Sequence, residues 1–168
     1  MLRRTALVLI ALAALLGALV GNALGTPASG FIVETARGPL VDRPLNVNME
    51  FENGAKGEVE LKTKGAIEIA NQRIEIAPGG TLGWHSHPGP TVVTVQRGTL
   101  SFYHAEECTE EIEFTTGESF SNLPHEIHLA RNEEAQPVVI HAFYFVPLRT
   151  PPVGLRTDQP SPGAGCPQ

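Results

Sequence analysis

The chain has 168 residues, room for one domain with extensions, and carries 12 Lys and Arg against 18 Asp and Glu. Without Arg3 and Arg4, which sit in a leader-like segment, the balance is 10 against 18, a formal charge of −8. An acidic chain with no basic cluster is a poor partner for nucleic acid or for an anionic lipid surface.

Residues 1–25 differ in kind from the rest. Arg3 and Arg4 form a basic n-region, and residues 5–20 are almost wholly apolar. Gly21-Asn22-Ala23, or Ala23-Leu24-Gly25, offers the small residues of a signal-peptidase site. The segment reads as a signal peptide helix, so the product is expected to be secreted or extracytoplasmic. The alternative, an uncleaved anchor, is disfavoured because the apolar run falls short of a comfortable span of about 20 residues. No later segment is long and apolar enough to cross a bilayer, so no stable membrane span is expected after cleavage.

Beyond the leader, short runs rich in Val, Ile, Thr and Phe recur between Gly, Pro and Asn punctuation, the pattern of an all-β sandwich or barrel. Residues 26–64 read as N-terminal strands and an extension. They hold a strand over 31–36 and weaker candidates over 45–51 and 59–63, the last two separated by the turn-prone stretch 52–57. Residues 65–148 read as the core barrel. There 67–76 alternates apolar and polar, Pro78-Gly79-Gly80 is expected to turn, and 81–87 is a strand broken by Pro88-Gly89-Pro90. Residues 91–96 and 99–104, joined at Arg97-Gly98, predict a hairpin. A short strand at 112–115 precedes the Gly117-Glu118 turn into Ser119-Phe120. Residues 126–130 follow Pro124, and 132–136 is a polar turn. The near-continuous apolar run 137–147 predicts a central strand buried on both faces. Residues 149–168, rich in Pro and Gly, read as an irregular tail.

Two cysteines remain. In an exported chain an isolated pair is more often a disulfide than two free thiols, so Cys108 and Cys166 are expected to pair and to pin the tail across the domain. Such a bridge would contribute roughly 3–4 kcal/mol of chain entropy if unstrained. Neither cysteine has a second Cys or His at ligand spacing, which argues against a metal role.

The chemistry is carried by histidines. His85 and His87, at i and i+2, share one face of a strand. His128, about forty residues on, can close the set from a neighbouring strand. Three imidazoles inside a small barrel suit a divalent transition metal such as Fe, Zn, Mn, Ni or Cu, and availability decides which.

These residues resemble the cupin superfamily. Its first motif is matched in spacing from Gly79 through His85 and His87 to Gly98, with Thr91 where a glutamate is expected. Its second runs from Gly117 to His128 and Asn132, with Leu123 and His125 in place of a proline and a glycine. The resemblance covers roughly 67–146; the His-Ser-His-Pro-Gly-Pro segment and the late cysteine are similar to small exported cupins. It implies a jelly-roll barrel with His85, His87 and His128 as metal ligands. Thr91, a poor ligand, is then expected to hydrogen-bond a metal-bound water or substrate atom. Losing the carboxylate leaves a neutral donor set, which favours a hydroxide or an anionic or bidentate substrate.

The remaining residues have plainer readings. His125 could be a fourth ligand, but an exposed loop histidine is the default. His104 is expected at the surface. His141 is read as a packed, hydrogen-bonded barrel histidine, with a pocket acid or base as the minority reading. Trp84 should face away from the ligands. Phe102, Phe143 and Phe145 are expected in the core, and Tyr103 and Tyr144 packed with hydroxyls at the rim. The acidic run 106–113 reads as a solvated loop, and Arg131 as a surface arginine unless it steers an anion.

Two functions follow from different classes, and whether the chain is an enzyme stays open. One is a metal-dependent exported protein with small-molecule oxygenase or isomerase-type chemistry. The other is a non-catalytic module for a small ligand or for metal, mildly favoured by the missing glutamate. Cupins often pair through edge strands, so a homodimer using residues 31–51 is a third expectation.

Overall fold

The computed structural model describes residues 25–40, 44–50 and 57–168. All but the last residue of the expected signal peptide lies outside the described residues, as does most of the turn expected at 52–57. Among the described residues there is no α-helix, and no helix long and apolar enough to cross a membrane.

The strands fall where alternation and β-branched residues place them. They are β1 (Ser29–Pro39), β2 (Asn46–Glu50), β3 (Glu58–Lys62), β4 (Ile67–Ser86), β5 (Thr91–Arg97), β6 (Thr99–His104), β7 (Ile112–Thr115), β8 (Ser119–Asn122), β9 (His128–Arg131), β10 (Val138–Pro147) and β11 (Thr157–Asp158). β2 and β3 pair only with each other. Register puts Val47 opposite Leu61 and Met49 opposite Val59, so this ribbon gathers its apolar side chains on one face.

The other nine strands form one sheet folded over on itself. The first half of β4 lies between β1 and β10, and β5 and β8 continue outward from β10. The second half of β4 lies between β11 and β9, and β6 and β7 continue outward from β9. β4 therefore belongs to both leaves of a jelly roll. Ile74, Ile76, Leu82, Val93, Phe102 and Ile140 fill the space between them. A second buried cluster (Trp84, Tyr103, Leu129 and Cys166) packs separately from that interior.

Three expectations need correction. Pro78-Gly79-Gly80 does not end a strand; β4 runs through it for 20 residues. Gly79 takes a φ of +72°, a conformation only glycine adopts freely; the pairing register with β1 shifts across it, and that with β9 shifts just beyond, between Thr81 and Trp84. The chain thus bends sharply and keeps its hydrogen bonds. Buried Asn132 stitches the bend: Gly79 N donates to its carbonyl at 3.0 Å, its own N donates to Gly80 O at 2.9 Å, and its Nδ2 donates to Ile76 O at 2.9 Å.

The hairpin expected over 91–104 is also absent, although both strands form. β5 pairs with β10 and β8, while β6 pairs with β9 and β7. Gly98 alone separates them, too short a link for a two-residue hairpin turn, and the chain crosses between leaves there.

Finally, the 137–147 strand is central but not buried on both faces throughout. Val138, Val139 and Ile140 are buried, whereas Phe143 is 41% exposed and so is not a core residue. The far end of the outer face meets solvent, and alternation governs there.

The tail is less irregular than its composition suggests. A 3-10 turn (Pro152–Leu155) leads into β11, which pairs Thr157 with Ser86 and Asp158 with His85. Cys166 is bonded to Cys108 with their Cα atoms 5.2 Å apart.

Candidate metal centre

Three elements bring the histidines together. His85 lies in the last turn of the pleat of β4, and His87 just beyond that strand's end. His128 opens β9 and sits directly opposite His85 in the β4–β9 register. One ring nitrogen from each of the three lies within 4.8 Å of the others. All three are buried, with exposures of 3%, 5% and 2%.

Their second nitrogens are all tied to backbone. Nδ1 of His85 bonds Gly83 O at 2.8 Å, Nδ1 of His87 bonds Leu155 O at 2.7 Å, and Nδ1 of His128 bonds Glu126 O at 3.0 Å. A carbonyl can only accept, so each Nδ1 carries the hydrogen. In a neutral ring Nε2 is then a bare lone pair, the form a metal takes. The rings are held neutral. Burial drops His87 to about 4 and His128 to about 3, and pushes His85 well below the ordinary imidazole value, with the neighbouring imidazoles adding to the effect on His85 and His128. Phe102 stacks on His128 with centroids 5.1 Å apart, and Tyr144 meets the His87 ring edge at the same distance.

Thr91 lies fully buried in the same cavity, and its hydroxyl has no hydrogen-bond partner among the described residues. Opposite it in the β5–β8 register stands Asn122, buried, whose Oδ1 also lacks a partner and whose Nδ2 is 3.5 Å from His128 Nε2. Two orphaned polar oxygens beside three bare imidazole nitrogens fit a metal with a coordinated water or ligand atom. The free space inside is only about 20 Å³, roughly one water. A larger pocket of about 200 Å³ adjoins it, bordered by His85, His87, Gln72, Tyr144, Leu155 and Arg156 among others.

Asn122, Leu155 and Arg156 escape a reading of the sequence. For Asn122 a signal existed: it shares strand parity with Phe120, whose ring packs against the interior. Leu155 and Arg156 carry none, because they come from the tail, and only the fold brings it to the barrel mouth.

The other histidines lie elsewhere. His125 is exposed, with a φ of +63° where the cupin motif has glycine, and its backbone N donates to His87 O at 2.8 Å. His104 is half-buried, with Nδ1 2.7 Å from Glu126 Oε1. Both border an open groove of about 670 Å³ on the outside, where no third ligating group converges among the described residues. His141 does not line the cavity. It bonds Gln96 Oε1 at 2.9 Å on the outer face, so it is no pocket acid or base. Arg131 pairs with Glu133 at 3.1 Å. Trp84 is buried away from the ligands, its Nε1 donating to Pro167 O at 2.8 Å. The hydroxyl of Tyr144 donates to Gln72 Oε1 at 2.8 Å.

Residues 72–144 match the family model described as the cupin domain. No curated protein matches the sequence significantly. Among solved structures, an oxalate oxidase is 20% identical over 48% of this chain and 46% of its own, with a TM-score of 0.41. The cupin domain of an XRE family transcriptional regulator from Enterobacter cloacae is 18% identical over 72% of this chain and 100% of its own, at 0.43. A DMSP lyase from Ruegeria pomeroyi is 16% identical over 49% of this chain and 41% of its own, at 0.44. The chain spans less than half the length of the oxidase and of the lyase.

Proposed function

With a cupin domain over residues 72–144, we propose that this chain is an extracytoplasmic protein that holds one divalent transition metal on His85, His87 and His128 and receives a small molecule beside it. The observation that carries this reading is the shared arrangement of the three rings. Each gives its Nδ1 hydrogen to a backbone carbonyl and turns a bare Nε2 toward the others. When bound, the metal supplies a Lewis acid or an oxygen-binding centre. The chain's own residues do the rest. Backbone carbonyls fix the tautomers, Phe102 and the barrel walls exclude water, and Thr91 and Asn122 offer a hydroxyl and an amide to an atom held at the centre.

A second reading, a non-catalytic binding module, rests on the lining. Among the described residues the cavity and its mouth contain no carboxylate, and its histidines are all spent as ligands, which leaves no free acid or base of ordinary strength there.

Elemental analysis of protein purified after native export, without added metal, tests the proposal. One equivalent of a single transition metal is expected in the wild type, and loss of it in the His85→Ala, His128→Ala double variant. No metal in a folded wild type would overturn it. The metal's identity then bears on the chemistry: iron or copper would favour an oxygenase, zinc a Lewis-acid or binding role.

A further inference from the structure

Among the described residues, Arg156 is the one charged residue bordering the inner cavity and its mouth. Its side chain is 26% exposed, and among the described residues its hydrogen-bond partner is Asp158, whose Oδ1 accepts from Nε at 2.8 Å and from Nη2 at 2.5 Å. Asp158 itself is 60% exposed and screened by water. That leaves the rest of the guanidinium fork free. Arg156 borders the same pocket as His85 and His87.

Charge balance gives this placement a consequence. Three neutral imidazoles leave a divalent ion's charge uncompensated, and Arg156 adds another positive charge at the entrance. Asp158, itself exposed, is the acid that meets Arg156; among the described residues no carboxylate lines the cavity or its mouth. Besides Gln72, Tyr144 and the two histidine rings, the mouth is walled by the apolar side chains of Phe31, Val33, Ile74, Leu82 and Leu155. A cation at the rim of an apolar pocket, with planar donors to spare, matches a carboxylate on a short carbon body. At about 200 Å³ the pocket has room for a body of a few carbons.

We propose that the mouth of the barrel is a carboxylate subsite, and that the small molecule this cupin takes is a short organic acid held by the Arg156 guanidinium with its body against Phe31, Leu82 and Leu155. The proposal rests on the metal reading above and adds to it the class of ligand. Arg156 is a binding residue here. Asp158 competes with the ligand for it.

Calorimetric titration of the cobalt(II)-loaded protein with butyrate, and with butyramide as the neutral control, tests this, together with the visible absorption of cobalt. Butyrate is expected to bind about tenfold or more tighter than butyramide. Arg156→Gln should erase that preference at unchanged cobalt stoichiometry. Asp158→Asn, which removes the competing carboxylate without changing shape, should tighten butyrate severalfold. The two variants thus move binding in opposite directions, which a loosened tail would not do. Equal binding of acid and amide, or an Arg156→Gln variant that keeps the preference, would overturn the proposal. If no cobalt binds, the metal reading falls, and the subsite is judged by the same wild-type against Arg156→Gln difference on metal-free protein.

Discussion

His85, His87 and His128 are buried, with no carboxylate among the described residues lining their cavity, and this has a cost that depends on pH. In the unfolded chain each imidazole gains a proton near pH 6.5. In the folded chain burial holds His87 to about 4 and His128 to about 3. Between these limits the unfolded chain binds more protons, so the free energy of unfolding falls as pH falls. The contribution is complete above about 6.5 and is lost progressively toward pH 4. The metal-stripped protein is therefore expected to unfold at steadily lower urea concentrations from pH 7 to pH 4.5. His87→Gln removes one such group and should flatten that slope. Urea midpoints of both proteins across this range check it, and identical slopes would refute it. Exposed carboxylates contribute equally to both proteins and drop out of the difference.

Among the elements, the link between His87 and β5 sets the distance from ligand to Thr91. Gly89 sits in it because nothing larger fits: a Cβ there would lie 1.9 Å from Phe145 O, a backbone atom of β10. Gly89→Ala must push the loop off the barrel. It is expected to cost about 2–4 kcal/mol in urea unfolding and to lower metal occupancy, since His87 moves with the loop. An alanine variant that keeps wild-type stability and metal would show that the loop has slack. The same loop shows what the sequence makes legible. Pro88-Gly89-Pro90 announces a break, and the His-x-His parity just before it places His85 and His87 on one face. His128 follows from motif spacing. What the sequence conceals is where strands go after they form. Arg97-Gly98 has the local chemistry of a hairpin, yet β5 and β6 part into different leaves, because pairing partners are chosen by the whole sheet. Gly79 conceals its role likewise: local rules make Pro78-Gly79-Gly80 a turn, and only Asn132, more than fifty residues on, makes it a bend within one strand.

For the molecule as a whole, the tail joins core to site through a chain of contacts that composition does not reveal. Gln159 N donates to Trp84 O at 2.8 Å, Thr26 N to Gln159 O at 3.0 Å, and Trp84 N to the Thr26 hydroxyl at 2.5 Å. The tail thus bridges β4 and the segment before β1, and it delivers Leu155 O to His87 and Arg156 to the mouth. The Cys108–Cys166 bond holds its end across 58 residues. Opening a loop of that size frees about 4 kcal/mol of chain entropy in the unfolded state. A Cys108→Ser, Cys166→Ser variant is expected to lose stability of that order. The larger consequence is local. Without the anchor, residues 149–168 dissociate from β4 more often than the barrel unfolds, because β11 contributes only two paired residues. His87 then loses its Nδ1 partner while its strand stays folded. Hydrogen exchange should show Gln159 and Trp84 amides losing protection ahead of the β10 amides, and metal affinity should fall by about 10–100-fold, the usual effect of losing a partner that orients a ligand. If exchange at Trp84 rises only in step with β10, the tail is part of one cooperative barrel, and the bond acts on global stability alone.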